Sequence, residues 1–147
     1  MMEIKDMIND TSIIFLNEKY KSDILEAMIS KAVEEGYIKD ETSFKKAINE
    51  RETMGSTGIG DEIAIPHARI AGIEEYFIIT AVLSQPVEWD SPDHKPVRLV
   101  FMIGGPDNAQ TEYLQLLSKV MGVVKNPDKK NFIIGSNDPV KIARTFI

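Results

Sequence analysis

The chain has 147 residues, 43% of them hydrophobic and 27% charged, with a formal net charge of −6 at pH 7 from 23 acidic and 17 basic side chains. One domain over residues 1–147 is expected, since a chain this long buries roughly 70% of its unfolded surface, and the mixture excludes disordered and fibrous classes. The acidic balance argues against nucleic-acid or anionic-membrane binding, and the absence of cysteine excludes disulfide frameworks, thiolate nucleophiles and Cys-based metal sites.

Between Met1 and Asp10 the charges of Glu3, Lys5, Asp6 and Asp10 break any secretory apolar run, and a reducing cytoplasm is the expected compartment. A short strand is predicted over Ile13 to Leu16. From Ser22 to Gly36, the residues Ile24, Leu25, Met28, Ile29, Ala32 and Val33 share one stripe of a helix. Asp23 and Glu26 resemble a capping box, and Gly36 suits the left-handed end. A second helix is expected from Asp40 to about Glu52, stopped by Gly55, Gly58 and Gly60, so that Arg51 lies at its end.

Ile63 to Ile65 reads as a strand, and Pro66 disfavours helix there while lacking an N–H, which puts His67 just beyond a strand. Tyr76 to Leu83 and Val97 to Ile103 read as buried strands, bounded by Gln85-Pro86 and Gly104-Gly105-Pro106. Neither is near the ~20 residues that a membrane-spanning helix requires. Trp89 to Pro96 is an Asp- and Pro-rich loop, with His94 exposed in it. Thr111 is the expected N-cap of a helix through Leu114, Leu117, Val120 and Val124, and Asp138-Pro139 opens a last one. The interleaving predicts an α/β (α+β) fold, a mixed parallel/antiparallel sheet flanked by helices, with the two middle strands close enough for an antiparallel connection.

The segment from Arg51 to Arg69 stands out. Gly55, Ser56, Thr57, Gly58 and Gly60 precede the strand that delivers His67, and glycine-rich turns let backbone N–H groups approach an anion, so this stretch is a candidate phosphate cradle. It lacks the order and lysine of a P-loop and the strand-to-helix context of a dinucleotide fingerprint, so nucleotide binding is unsupported. A neutral imidazole can attack phosphorus with one nitrogen while the other donates to an acceptor. Arg51 or Arg69 would bind phosphate oxygens through a permanently charged guanidinium. With only His67 and His94 available, no metal site is expected, and no G-x-S-x-G elbow supports a hydrolase.

Gly60-Asp61-Glu62-Ile63-Ala64-Ile65-Pro66-His67-Ala68 closely resembles the active-site signature of the fructose/mannitol-type (type 2) enzyme IIA proteins of the bacterial sugar phosphotransferase system. Arg51 through Gly60 is most similar to the nitrogen-related branch, and the likeness extends through Lys95 to Phe101 and Tyr113 to Ser118. The resemblance implies a mixed sheet flanked by helices, phosphorylation of His67 by a histidine-containing phosphocarrier protein, and Arg51 as the active-site arginine. It implies no cofactor beyond a transient phosphohistidine, and as onward partner either a IIB domain or a regulatory target protein. One departure is notable: many members carry a second histidine in a His-Leu pair where this chain has Tyr113-Leu114. A tyrosine there donates a hydrogen bond but does not become a cation.

Overall fold

Side-chain alternation along two long strands sets the architecture of the protein, described over residues 3–147 by a computed structural model. The elements in chain order are α1 (Ile4–Met7), β1 (Ile13–Leu16), α2 (Lys21–Glu34), α3 (Glu41–Thr53), β2 (Gly58–Gly60), β3 (Ile63–Ala64), β4 (His67–Arg69), β5 (Phe77–Val87), β6 (Val97–Gly105), α4 (Gln110–Val124), α5 (Pro127–Gly135) and α6 (Pro139–Arg144). One sheet runs β1-β5-β6-β3-β2, with β4 also paired to β6. The β5–β6 and β2–β3 pairs are antiparallel; β1–β5, β3–β6 and β4–β6 are parallel.

Both central strands are apolar on both faces because helices cover both faces. Ile79, Ala81, Leu83, Val100 and Met102 meet α2 and α3 through Met28, Ile29, Phe44 and Ile48. Ile78, Val82, Leu99, Phe101 and Ile103 face the opposite layer, where Leu116, Val120, Ile133 and Ile142 come from α4, α5 and α6. The mixed sheet flanked by helices is therefore as expected.

Several local expectations need correction. α2 begins at Lys21 with Tyr20 as its N-cap, so Asp23 lies in the first turn and complements the helix dipole instead of capping. α4 begins after Ala109, not Thr111. Asp40 does cap α3, accepting from Ser43 N–H at 3.0 Å, and Gly36 does take a positive φ of 81°. β5 runs past Gln85-Pro86, and the β5–β6 register shifts between Val82 and Val87, an irregularity that tolerates a residue without an N–H. Gly104 and Gly105 are the last two residues of β6 and not a turn beyond it. α5, where Pro127 follows an Asn126 cap, has no counterpart among the expected helices.

The β2–β3 hairpin turns through Asp61 and Glu62, whose φ values of 55° and 69° are those a two-residue turn matched to strand twist demands. Asp61 N–H donates to Asp93 Oδ2 at 2.9 Å, while Lys130 donates to the Asp61 carbonyl at 3.1 Å and sits 3.5 Å from Glu62 Oε1. Holding a residue with a Cβ in the left-handed region costs roughly 1–2 kcal/mol. Glu62→Gly is expected to raise the unfolding free energy by about 1 kcal/mol, since the partly exposed Lys130 pair it removes is worth less. The measurement is a urea midpoint at constant m-value; a midpoint that fails to rise would show the turn to be unstrained.

Candidate functional site

Pro66 cannot donate to a ladder, but its carbonyl accepts from Ile103 N–H at 3.0 Å, and the chain resumes pairing with β6 at His67 opposite Ile103. His67 thus opens β4, immediately past β3. Strand alternation puts His67 and Arg69, both half-buried, on one face and the buried Ala68 on the other.

The ring nitrogen Nδ1 of His67 lies 3.0 Å from the Ile65 carbonyl oxygen. A carbonyl only accepts, so Nδ1 carries the proton and the lone pair is left on Nε2. Burial holds the imidazole below the ordinary histidine range; the Ile65 hydrogen bond opposes this, the Arg51 cation reinforces it, Glu52 opposes it and Arg69 reinforces it.

Two layers meet at this ring. From α3 comes Arg51, whose Nη1 donates to the Gly55 carbonyl at 2.9 Å. From the first turn of α4 comes Tyr113, its ring centroid 5.1 Å from that of His67 at an interplanar angle of 33°. The Arg69 guanidinium lies 5.9 Å from the Tyr113 ring centroid, and Tyr76 stacks on the same tyrosine at 6.4 Å. Tyr76 in turn donates to the carbonyl of Ala109, the α4 N-cap, at 2.6 Å, which fixes where that helix starts. A Cβ at Gly105 would sit 2.3 Å from the Tyr76 ring, so only glycine lets that ring lie against β6. Burial raises the Tyr113 phenol above its ordinary range, against the pull of Arg51 and Arg69, so it is present as a neutral O–H.

The structure brings His67, Arg51, Arg69 and Tyr113 together but divides the cradle expected from Gly55 to Gly60. Gly58 and Gly60 are in strand β2, and Gly60 pairs with Ile63, which at ~3.3 Å per residue is about 13 Å from His67 along the chain. Gly60 packs against Asp93 instead. The Ser56 hydroxyl donates to the Trp89 carbonyl and accepts from Gly58 N–H at 3.0 Å. The Thr57 hydroxyl is buried, donating to Glu52 Oε2 at 2.7 Å and accepting from Trp89 Nε1–H at 3.0 Å. Both hydroxyls therefore brace the loop. The part of the stretch bonded to Arg51 is Gly55, exposed at a φ of 144°.

Periodicity misses Tyr76, Glu52 and Trp89. A lone tryptophan in an Asp- and Pro-rich loop was the available signal, because such a ring seldom stays in water; it is 1% exposed. His94 lies in the same loop, exposed, at a φ of 61°.

Residues 7–147 match the family described as Phosphoenolpyruvate-dependent sugar phosphotransferase system, EIIA 2. The chain is 32% identical over 120 residues to the PTS system fructose-specific EIIABC component of Bacillus subtilis, covering 81% of this chain but only 19% of that protein. It is 28% identical over 138 residues to the nitrogen regulatory protein of Bradyrhizobium diazoefficiens, covering 93% of this chain and 90% of that one. Its fold superposes on the nitrogen regulatory protein IIA-Ntr of Neisseria meningitidis with a TM-score of 0.90 at 26% identity, covering 98% and 99% of the two chains. With a family match that takes in all of the site and nearly all of the chain, this protein belongs to the type 2 enzyme IIA family of the phosphoenolpyruvate-dependent sugar phosphotransferase system.

Proposed function

We propose that the chain is a phosphoryl carrier that accepts a phosphoryl group on Nε2 of His67 from the phosphohistidine of a histidine-containing phosphocarrier protein. The observation that carries this reading is the hydrogen bond from Nδ1–H to the Ile65 carbonyl, which leaves Nε2 nucleophilic in a ring that burial keeps uncharged. As Nε2 attacks, the phosphorus–nitrogen bond of the donor breaks, and its electron pair returns to the donor ring, which leaves as neutral imidazole if its other nitrogen is protonated. His67 then holds phosphate on Nε2 and a proton on Nδ1, the form from which the group is passed on most readily.

Arg51 and Arg69 supply the positive field for the equatorial oxygens, and the loop from Gly55 to Thr57 is our candidate for backbone donors. Tyr113 offers an O–H beside the ring without adding a charge. The mechanism calls on no nucleotide, metal or other cofactor. Met54, at the end of the helix bearing Arg51, and Leu114, beside Tyr113, are exposed at 80% and 53%, apolar surface of the kind a protein partner covers. We place the reaction in the cytoplasm; no helix of the described residues is long and apolar enough to cross a membrane.

Two fates follow for the phosphoryl group. One is transfer to a IIB domain. The other is regulatory, with the dianion on His67 altering which protein binds, and it is supported by the likeness to nitrogen regulatory proteins in sequence and fold.

Incubation with enzyme I, phosphocarrier protein and phosphoenolpyruvate is expected to give one acid-labile phosphate per chain, absent in His67→Ala. No such phosphate on the wild type would refute the assignment. Adding a IIB acceptor then separates the fates, since onward transfer marks a carrier and a persistent phosphoprotein marks a regulator. Arg51→Ala should slow acceptance by about 100-fold or more while the fold is retained.

The acid limb follows from the direction of the His67 shift. Imidazolium has no lone pair, so acceptance fails as pH drops through the His67 midpoint, and lowering that midpoint extends activity to more acid pH. NMR titration of His67 should give a midpoint under the usual value of about 6.5. In Arg51→Ala, losing a nearby cation should move it upward; a downward move would contradict the electrostatics described.

A further inference from the structure

Next to Arg51, and unused by the phosphoryl chemistry, lies a buried polar chain assembled from parts of the sequence that are far apart. Glu52, in the last turn of α3, has a side chain only 9% exposed. One carboxylate oxygen pairs with Lys21, the first residue of α2, and the other accepts from Thr57 Oγ1 at 2.7 Å. Trp89 Nε1–H, from the β5–β6 connection, donates to the same Thr57 oxygen at 3.0 Å, and Lys21 Nζ lies 5.3 Å from the Trp89 ring centroid.

The backbone continues this chain to the site. The Thr57 carbonyl accepts from Ile65 N–H at 2.9 Å, and the carbonyl of that same Ile65 accepts from His67 Nδ1–H at 3.0 Å. Whatever fixes Thr57 therefore anchors, through the N–H, the residue whose carbonyl chooses the tautomer of His67. Stability alone is a poor explanation for the pair, because with Lys21 28% exposed an ion pair of this kind contributes only about 1 kcal/mol or less. A charge-assisted hydrogen bond to a hydroxyl instead imposes direction, and Thr57 can serve both partners only in one orientation.

We propose that Glu52 is a positioning residue for His67: by orienting Thr57, whose carbonyl anchors the Ile65 N–H, it keeps the Ile65 carbonyl where it holds the imidazole as the Nδ1–H tautomer with Nε2 presented to the phosphoryl donor. The proposal rests on the reading of His67 as phosphoryl acceptor. Its test is nevertheless read in the unphosphorylated protein, so the two fail separately. A protein with its tautomer controlled as described but taking no phosphate would refute the acceptor reading alone.

The tautomer is measured by long-range nitrogen–proton correlation spectra of the His67 ring in four proteins. Wild type should show the proton on Nδ1. Glu52→Gln retains an oxygen that accepts from Thr57 and should preserve that state. Glu52→Ala and Thr57→Val remove the link and should shift a measurable fraction of the ring to the Nε2–H tautomer, with acceptance from the phosphocarrier slowed about tenfold or more. An unchanged tautomer in both of these variants overturns the proposal. So does an equal shift in Glu52→Gln and Glu52→Ala, which would make charge, not the hydrogen bond, the cause. Loss of native amide dispersion in both Glu52→Ala and Thr57→Val also overturns it, because the chain would then be a stability element.

Discussion

The carbonyl of Ile65 decides which nitrogen of His67 keeps its lone pair, and several neighbouring elements hold the residue that bears it. Pro66 sets the strand break that turns it toward the ring, β6 grips the chain on either side of the break, and Thr57 holds the Ile65 amide from behind. A hydrogen bond of this kind is worth only about 1 kcal/mol in stability. Its leverage is chemical, because a protonated Nε2 would have no pair of electrons to offer.

Electrostatics around the ring are balanced to the same end. Burial opposes protonation, and the two arginines oppose it further with a positive field that would also attract a phosphoryl dianion. Glu52 would cancel part of that field if it stood alone, and Lys21 neutralises it locally while it anchors the loop. The arginines come from different places, Arg51 from the end of a helix and Arg69 from the same strand face as His67, so the phosphoryl group would be met from two directions. Tyr113 extends the second of these by giving Arg69 an aromatic face to rest on.

The helices α2 and α3 and the strands β5 and β6 could be read from the sequence because each carries enough apolar side chains to show a period. β2, β3 and β4 could not be read in full, since two or three residues do not establish alternation, and β2 in particular is glycine at both ends. That is why Gly58 and Gly60 looked like loop. Arg51, His67 and Arg69 could be picked out by chemistry, and Tyr113 stood out through family resemblance. Tyr76 and Glu52 were illegible because their importance comes from partners thirty or so residues away, as with Tyr76 and Ala109, or from α2, as with Glu52 and Lys21. The N-caps of α2 and α4 were misplaced for a related reason: Tyr20 and Ala109 make no side-chain cap, so local chemistry left no mark there.

Trp89 is the chain's single tryptophan, and its indole N–H is bonded to the residue that also receives the Ile65 amide. The molecule thus carries one indole, sealed from solvent and wired to the loop that flanks the imidazole. Excited at the red edge of its absorption, where the four tyrosines do not absorb, its emission colour and quenching by acrylamide would report on that single loop, so breathing of the brace can be followed in real time without attaching a dye.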